Sequence, residues 1–238
     1  VSILVVDRWM DFKGTSIHTL DAGTQQAYAY LSPHISITAD GAPDAYHPQN
    51  LGLANIRLSG WPDGDWRSAL VADPKRPGRP LEQSRGRNAG YYISMTALSD
   101  PERPRTDPLA YVDAARIPYL TLPSTFLEIN GTGELGDFVV AYHPRTRRCS
   151  YGVVGDIGWD KPLGEVSIRM ASDLSGQTVN LASGKGAPSG ETLYLVFPRS
   201  RLSPAWPMAP AAIRARCAAL LKPLGGSARL EQIAEALA

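Results

Sequence analysis

Cysteine is almost missing from this sequence: Cys149 and Cys217 are the only two in 238 residues. They lie far apart, with no CxxC pair and no histidine at ligand spacing, so neither a thiolate zinc site nor a disulfide-dense scaffold organises the chain. One disulfide or two buried thiols remain, and the thiols are the simpler expectation. Also missing is any run near the roughly 18 apolar residues that a bilayer-spanning helix needs. Val1-Ser-Ile-Leu-Val-Val6 is apolar but short, has no basic lead and runs into Asp7, so it reads as a strand and not as a signal peptide. A chain opening on Val1 is expected to be processed or excised, with any export signal already removed. An excess of one charge is lacking too. Lys+Arg total 24 against Asp+Glu 23, which gives no bulk electrostatic reason to expect nucleic acid or an anionic membrane as partner. The four histidines, His18, His34, His47 and His143, show no HExxH pairing, and there is no GxSxG elbow. Zinc hydrolysis and serine nucleophilic chemistry are therefore disfavoured, and no metal or cofactor is expected. Asp40-Gly41-Ala-Pro-Asp44 lacks the ligand spacing of a calcium loop and reads as a hairpin turn.

What is present is a globular balance, 43% hydrophobic and 20% charged, with 22 glycines and 20 prolines in no period. Short strands cut by turns are expected at Ser16–Leu20, Ala27–Leu31, Ile35–Thr38 and Tyr91–Leu98, with a tight turn at Asp63-Gly64. Asp73–Asn88, rich in arginine and proline, reads as a long surface loop. Firmer strand signals follow at Asp137–Tyr142, at Cys149–Ile157, in the alternation Val166, Ile168, Met170, and at the apolar run Thr192–Phe197. Only the tail looks helical: Ile213, Cys217, Leu220 and Leu221 share one face before Gly225-Gly226, and Leu230, Ile233, Ala234 and Leu237 share another. The expected architecture is mainly β, a barrel-like catalytic domain over residues 1–200 with a motif-bearing core at about 35–175. Residues 201–238 form a helical appendage packed on the same domain.

The densest chemistry lies in Gly155-Asp156-Ile157-Gly158-Trp159-Asp160-Lys161-Pro162-Leu163-Gly164-Glu165-Val166-Ser167. Asp156 ends one strand and Glu165 begins the next, nine positions on. Fully extended, that connection would hold them roughly 30 Å apart. Gly158, Pro162 and Gly164 turn it, bringing the carboxylates towards each other. Two carboxyls across a gap of roughly 6.5–9.5 Å suit an inverting glycosidase, in which one protonates the leaving oxygen and the other activates water. By intrinsic acidity Glu165 is the candidate acid and Asp156 the candidate base. Trp159 offers a flat apolar face to a sugar ring. Asp113 and Asp137 are candidates to orient water or bind a substrate amine, although an Asp beside a strand end often only caps a turn. Tyr91, Ser94 and Thr96 are candidates to line the cleft floor.

Text elsewhere supports this constellation. Tyr91-Tyr92-Ile-Ser94-Met-Thr96-Ala-Leu98, Tyr111-Val-Asp113-Ala-Ala-Arg-Ile117-Pro118-Tyr119, Leu122-Pro123, Gly136-Asp137, Gly155-Asp156-Ile-Gly158 and Gly164-Glu165-Val-Ser167 occur in that order. The series resembles the family-75 glycoside hydrolases, the fungal-type chitosanases. The resemblance spans about residues 35–175 and maps the family's essential Asp and Glu onto Asp156 and Glu165. It implies an inverting endo-hydrolase of β-1,4-linked glucosamine polymers, secreted or delivered to the periplasm or cell exterior. A weaker echo is of double-psi β-barrel domains that cleave glycans. It implies a six-stranded double-psi-like β-barrel core, to which the loop insertions and the C-terminal α-helices read from the sequence pattern are added; neither resemblance covers those helices.

Charge qualifies the substrate. Between Lys75 and Arg116 there are eight basic residues against five acidic ones, and Arg145, Arg147 and Arg148 form a second basic cluster. Chitosan is a polycation, so a basic cleft would repel it and would instead suit the carboxylates of peptidoglycan. The alternative to a chitosanase is accordingly a muramidase-like hydrolase of peptidoglycan strands. As an antibacterial toxin it would bring an immunity or delivery partner. A third alternative is a non-catalytic carbohydrate-binding module.

Overall fold

The computed structural model describes residues 5–21 and 26–238; of the apolar N-terminal run, residues 1–4 lie outside that description. The chain opens with β1 (Val5–Phe12), β2 (Thr15–Asp21) and β3 (Gln26–Ser32), an antiparallel meander, and continues into the short β4 (Ser36–Thr38). After a long excursion carrying the small hairpin β5 (Ala72–Asp73) and β6 (Arg76–Pro80), the chain enters β7 (Tyr119–Pro123) and a single turn, α1 (Ser124–Leu127). Then come β8 (Phe138–His143), β9 (Arg148–Gly158), β10 (Glu165–Ser167), α2 (Ile168–Ser175), β11 (Thr192–Phe197), α3 (Pro210–Leu221) and α4 (Leu230–Leu237).

Nine of these strands make one sheet in the order β1-β2-β3-β11-β8-β9-β7-β10-β4. β8 and β11 lie at its middle and are buried at every position, which their unbroken apolar text requires of a strand covered on both faces. The sheet is mainly antiparallel, but β7 runs parallel to β9, and β10 runs parallel to β4. A six-stranded closed barrel is not what is observed. Among the described residues no pairing joins β1 to β4, because β1, β2 and β3 extend the sheet beyond the motif-bearing strands.

The C-terminal helices match the periodicity read from the sequence. Ile213, Cys217, Leu220 and Leu221 are all buried, and α3 packs on β8 and β9 within the same hydrophobic core as the sheet. Gly225 takes a left-handed conformation (φ 102°) that ends this helical stretch. Both cysteines are free thiols, with Cys217 buried and Cys149 half-buried.

Four local expectations change. Ile168 and Met170 do not continue a strand. The Ser167 hydroxyl accepts the Met170 N–H (3.1 Å), an N-cap that turns the chain into α2 and buries Ile168, Met170, Ala171 and Leu174. Tyr91–Leu98 forms only isolated bridges, because its N–H groups are divided among separate partners: Tyr46 O for Tyr92, Leu81 O for Ile93, Ala69 O for Met95 and Gly155 O for Leu98. Asp73–Asn88 is not all loop, since it contains the β5–β6 hairpin. Asp40-Gly41 does sit in a turn, closed by Ala42 N–H to Ala39 O (3.1 Å), but that turn is no hairpin, because β4 pairs in parallel with β10.

Candidate active site

A bulge sets the site. In the parallel pair, Tyr119 and Leu120 of β7 face Val153 and Val154 of β9, but the next residue, Thr121, faces Asp156. Gly155 is therefore an extra residue in β9, and it moves Asp156 onto the sheet face that Thr121 occupies. Regular alternation would have left Asp156 on the opposite face. Thr121 also pairs with Glu165 of β10, so Asp156, Thr121 and Glu165 form one rung across three strands. Two strand spacings put the two acidic Cα atoms about 9.5 Å apart with side chains on the same face.

Two glycines of the motif are explained by what lies beside them. A Cβ on Gly155 would stand 2.7 Å from the ring of Tyr119. A Cβ on Gly158 would stand 3.1 Å from Glu165 Oε2 and 2.9 Å from Thr121 Cγ2. One glycine admits the tyrosine, and the other leaves room for the Glu165 carboxylate.

The rung opens into a cleft of about 750 Å³ whose walls also include Asp40, Tyr46, Arg57, Leu58, Asp65, Ile157, Trp159, Asp160 and Lys161. Five carboxylates (Asp40, Asp65, Asp156, Asp160, Glu165) face two cations (Arg57, Lys161), so the cleft is acidic. Asp160 is tied down by an ion pair with Lys13 (2.6 Å). Leu58, Ile157 and Trp159 are exposed large apolar side chains on this wall, Trp159 at 57%. The arginine-rich stretches lie elsewhere: Arg76 pairs with Asp73, Arg103 with Asp100 and Asp107, and Arg147 with Glu231. Only Arg105 approaches, on an adjoining depression of about 400 Å³ that Asp156 and Ile157 also line.

The three central carboxylates are all held above their usual range. Burial raises Asp156 most, to well above an ordinary aspartic acid, and the neighbouring Asp40 charge adds to it. N–H groups of Ala97 (2.8 Å) and Ile157 (2.9 Å) donate to Asp156 Oδ1 and oppose that shift in part. Asp40 is raised by burial to about 6, against hydrogen bonds from Tyr46 and Thr38. Glu165 is raised by burial while Lys161 pulls it back. Among the described residues, no three His, Cys, Asp or Glu side chains converge to hold a metal ion.

Of the residues singled out from sequence, Asp156, Glu165 and Trp159 meet in this cleft, and the others do not line it. Asp137 is fully buried away from it, where its carboxylate accepts N–H bonds from Glu134 (2.8 Å), Arg199 (3.1 Å), Ser200 (2.7 Å) and Arg201 (3.0 Å). That is a structural anion clamp for two loops. Asp113 caps its own turn through Ala115 N–H (2.9 Å). The Tyr91 hydroxyl donates to Leu51 O (3.1 Å), and its ring meets His47 edge-on. Thr96 lines the adjoining depression, but its hydroxyl donates to Leu98 O (2.7 Å) and accepts Val112 N–H (3.0 Å). Ser94 is buried beneath the site, accepting Gly41 N–H (3.1 Å) and lying 3.4 Å from Asp40 Oδ1.

Asp40 is the residue that sequence reasoning missed. Tyr46 donates to its Oδ1 (2.8 Å), and Tyr119 donates to its backbone oxygen (2.9 Å). The available signal was the acidic loop Asp40-Gly41-Ala-Pro-Asp44, whose turn chemistry was legible and whose destination was not. No protein-family model and no curated protein matches the chain.

Proposed function

We propose that this protein is an inverting endo-glycoside hydrolase of β-1,4-linked amino-sugar polymers, with chitosan as substrate. The observation that carries the reading is the rung: two carboxylates on one sheet face, either side of Thr121, at the floor of an acidic cleft. Their environments favour the reverse of the roles that intrinsic acidity assigns. Asp156, the more strongly raised, keeps its proton and acts as acid; Glu165, nearer Lys161, ionises first and acts as base. Asp156 gives its proton to the glycosidic oxygen as the bond to the anomeric carbon breaks. Glu165 takes a proton from the water whose oxygen bonds that carbon from the opposite face, inverting it. Solvent then returns a proton to Asp156 and removes one from Glu165.

The charge of the cleft favours a protonated glucosamine polymer over peptidoglycan, since its carboxylates outnumber Arg57 and Lys161, and Arg76, Arg103 and Arg147 of the arginine-rich stretches are already paired with acids. Trp159 beside the rung supports a sugar ring. The finer topology, a double-psi-like barrel around the site, belongs to this proposal and is supported by the two parallel pairs β7–β9 and β4–β10. A polymer substrate of this kind implies secretion or delivery outside the cytoplasm.

The test is an assay on soluble chitosan and on purified sacculi, with Asp156→Asn and Glu165→Gln alongside. The expected result is chitosan cleavage only, reduced at least ~100-fold in either variant. Sacculus cleavage with chitosan intact would make it a wall hydrolase, and binding without cleavage a carbohydrate-binding module. An aryl glycoside with a good leaving group separates the roles, because it should rescue the Asp156 variant and not the Glu165 variant.

A further inference from the structure

The two-carboxylate reading leaves Asp40 without a task. It sits on the cleft wall in the turn that follows β4, the strand that flanks Glu165 on the side away from Thr121. Part of it is open to the cleft, so it is no core residue. It is nevertheless fixed at both ends, its carboxylate by Tyr46 and its backbone oxygen by Tyr119. Tyr119 is the ring that Gly155 makes room for, so the bulge that aims Asp156 also seats the tyrosine that anchors Asp40. One segment reaches both acids: the Ser94 hydroxyl lies against Asp40, and Ala97 N–H donates to Asp156. Ser94 and Ala97 lie at most about 10 Å apart even on a fully extended chain, and both acids line the same cleft, which puts the two carboxylates within mutual electrostatic reach.

We propose that Asp40 is a positioning residue whose negative charge keeps the acid proton on Asp156. Arg57, Asp65 and Asp160 line the same cleft as Asp156, with Asp160 paired to Lys13. Asp40 comes from the turn after β4, Glu165 from β10, Tyr119 from β7 and Tyr46 from the loop beyond Asp40. Lys161 acts on Glu165, and Arg105 stands across the adjoining depression. The two tyrosines stay neutral because burial raises both hydroxyls well above their usual range. Of the anions, Asp40 and Glu165 oppose ionisation of Asp156, and Asp40 acts the more strongly. Burial holds Asp40 at about 6, so its charge is in place above that pH, and it acts there on an Asp156 carboxyl that burial already raises well above the ordinary aspartate range.

The consequence for catalysis rests on the hydrolase reading, but the measurement does not. Protein carrying ¹³C at the aspartate carboxyls is titrated by NMR, with Asp156→Asn assigning the Asp156 signal. In the unaltered protein Asp40 should titrate before Asp156, and the reverse order would overturn the proposal without any variant. In Asp40→Asn the Asp156 midpoint should fall by at least about one pH unit. In Glu165→Gln it should fall by less. An unchanged Asp156 midpoint in Asp40→Asn would also overturn the proposal. In turnover, Asp40→Asn should move the alkaline limb of kcat/KM on chitosan acidward by the same amount. A merely structural Asp40 would lower activity evenly across pH. If chitosan is not a substrate, the NMR shifts still decide the role of Asp40, so the two readings fail separately.

Discussion

Asp156 and Glu165 never pair with each other, yet both pair with Thr121, one from β9 and one from β10. Their separation is therefore a property of strand spacing. That shared neighbour is also why the site tolerates little change in backbone register.

Gly155→Ala should damage stability and activity together, because its methyl meets the Cβ and ring of Tyr119 at 2.7 Å, close to the backbone. Overpacking of this kind costs about 1–3 kcal/mol, which a denaturant midpoint reads directly. Gly158→Ala should behave differently. Its methyl meets Thr121 Cγ2 at 2.9 Å and the flexible end of Glu165 at 3.1 Å, so the carboxylate moves aside and kcat falls, with a smaller loss of stability than in Gly155→Ala. Equal stability losses in the two variants would contradict this contrast.

Replacing the acid should stabilise the protein at neutral pH. The folded value of Asp156 is raised above its unfolded value, so its contribution to stability is fully present below about pH 4 and is lost as pH rises towards the folded value. Asn keeps the acceptor for Ala97 and Ile157 N–H and carries no charge to desolvate. The gain of Asp156→Asn in melting temperature should thus be near zero at pH 4 and reach several degrees at pH 8, at about 2–4 °C per kcal/mol for a chain of this size. A gain independent of pH would contradict the assignment.

Trp159→Ala should weaken polymer binding while sparing the chemistry. The indole is exposed on the cleft wall and hydrogen-bonds neither acid, so KM on chitosan should rise roughly tenfold, about 1.4 kcal/mol, with kcat nearly constant. Isothermal titration of chitosan oligomers into the catalytically silent Glu165→Gln background measures the same loss.

Asp137→Ala should be a folding variant only. Four backbone N–H groups would lose a buried anionic acceptor, costing about 2–4 kcal/mol, while the folded fraction keeps its kcat. A large fall in kcat with unchanged stability would return Asp137 to the active site.

How much of this was readable beforehand follows the sequence distance between the parts. Asp156 and Glu165 announce themselves because both lie in one short glycine-punctuated stretch, and Trp159 comes with them. Asp40 joins through the parallel β4–β10 pair, a contact no local pattern encodes. Asp137 was misread because a Gly-Asp step looks the same whether the carboxylate faces solvent chemistry or four backbone donors. The strand-like alternation of Val166, Ile168 and Met170 hid the start of α2, which one hydroxyl of Ser167 decides. The arginine-rich text gave a true count but no direction, and tertiary structure turned most of it away from the cleft. The C-terminal helices were legible because their apolar faces repeat over several turns.

The spacing of the acids by strands and not by the loop between them has a bearing on how such a site diversifies. Residues 159–163 carry Trp159 and Lys161 but do not determine the distance between Asp156 and Glu165. That segment is free to lengthen, shorten or exchange its side chains while the two acids stay where the sheet beneath holds them.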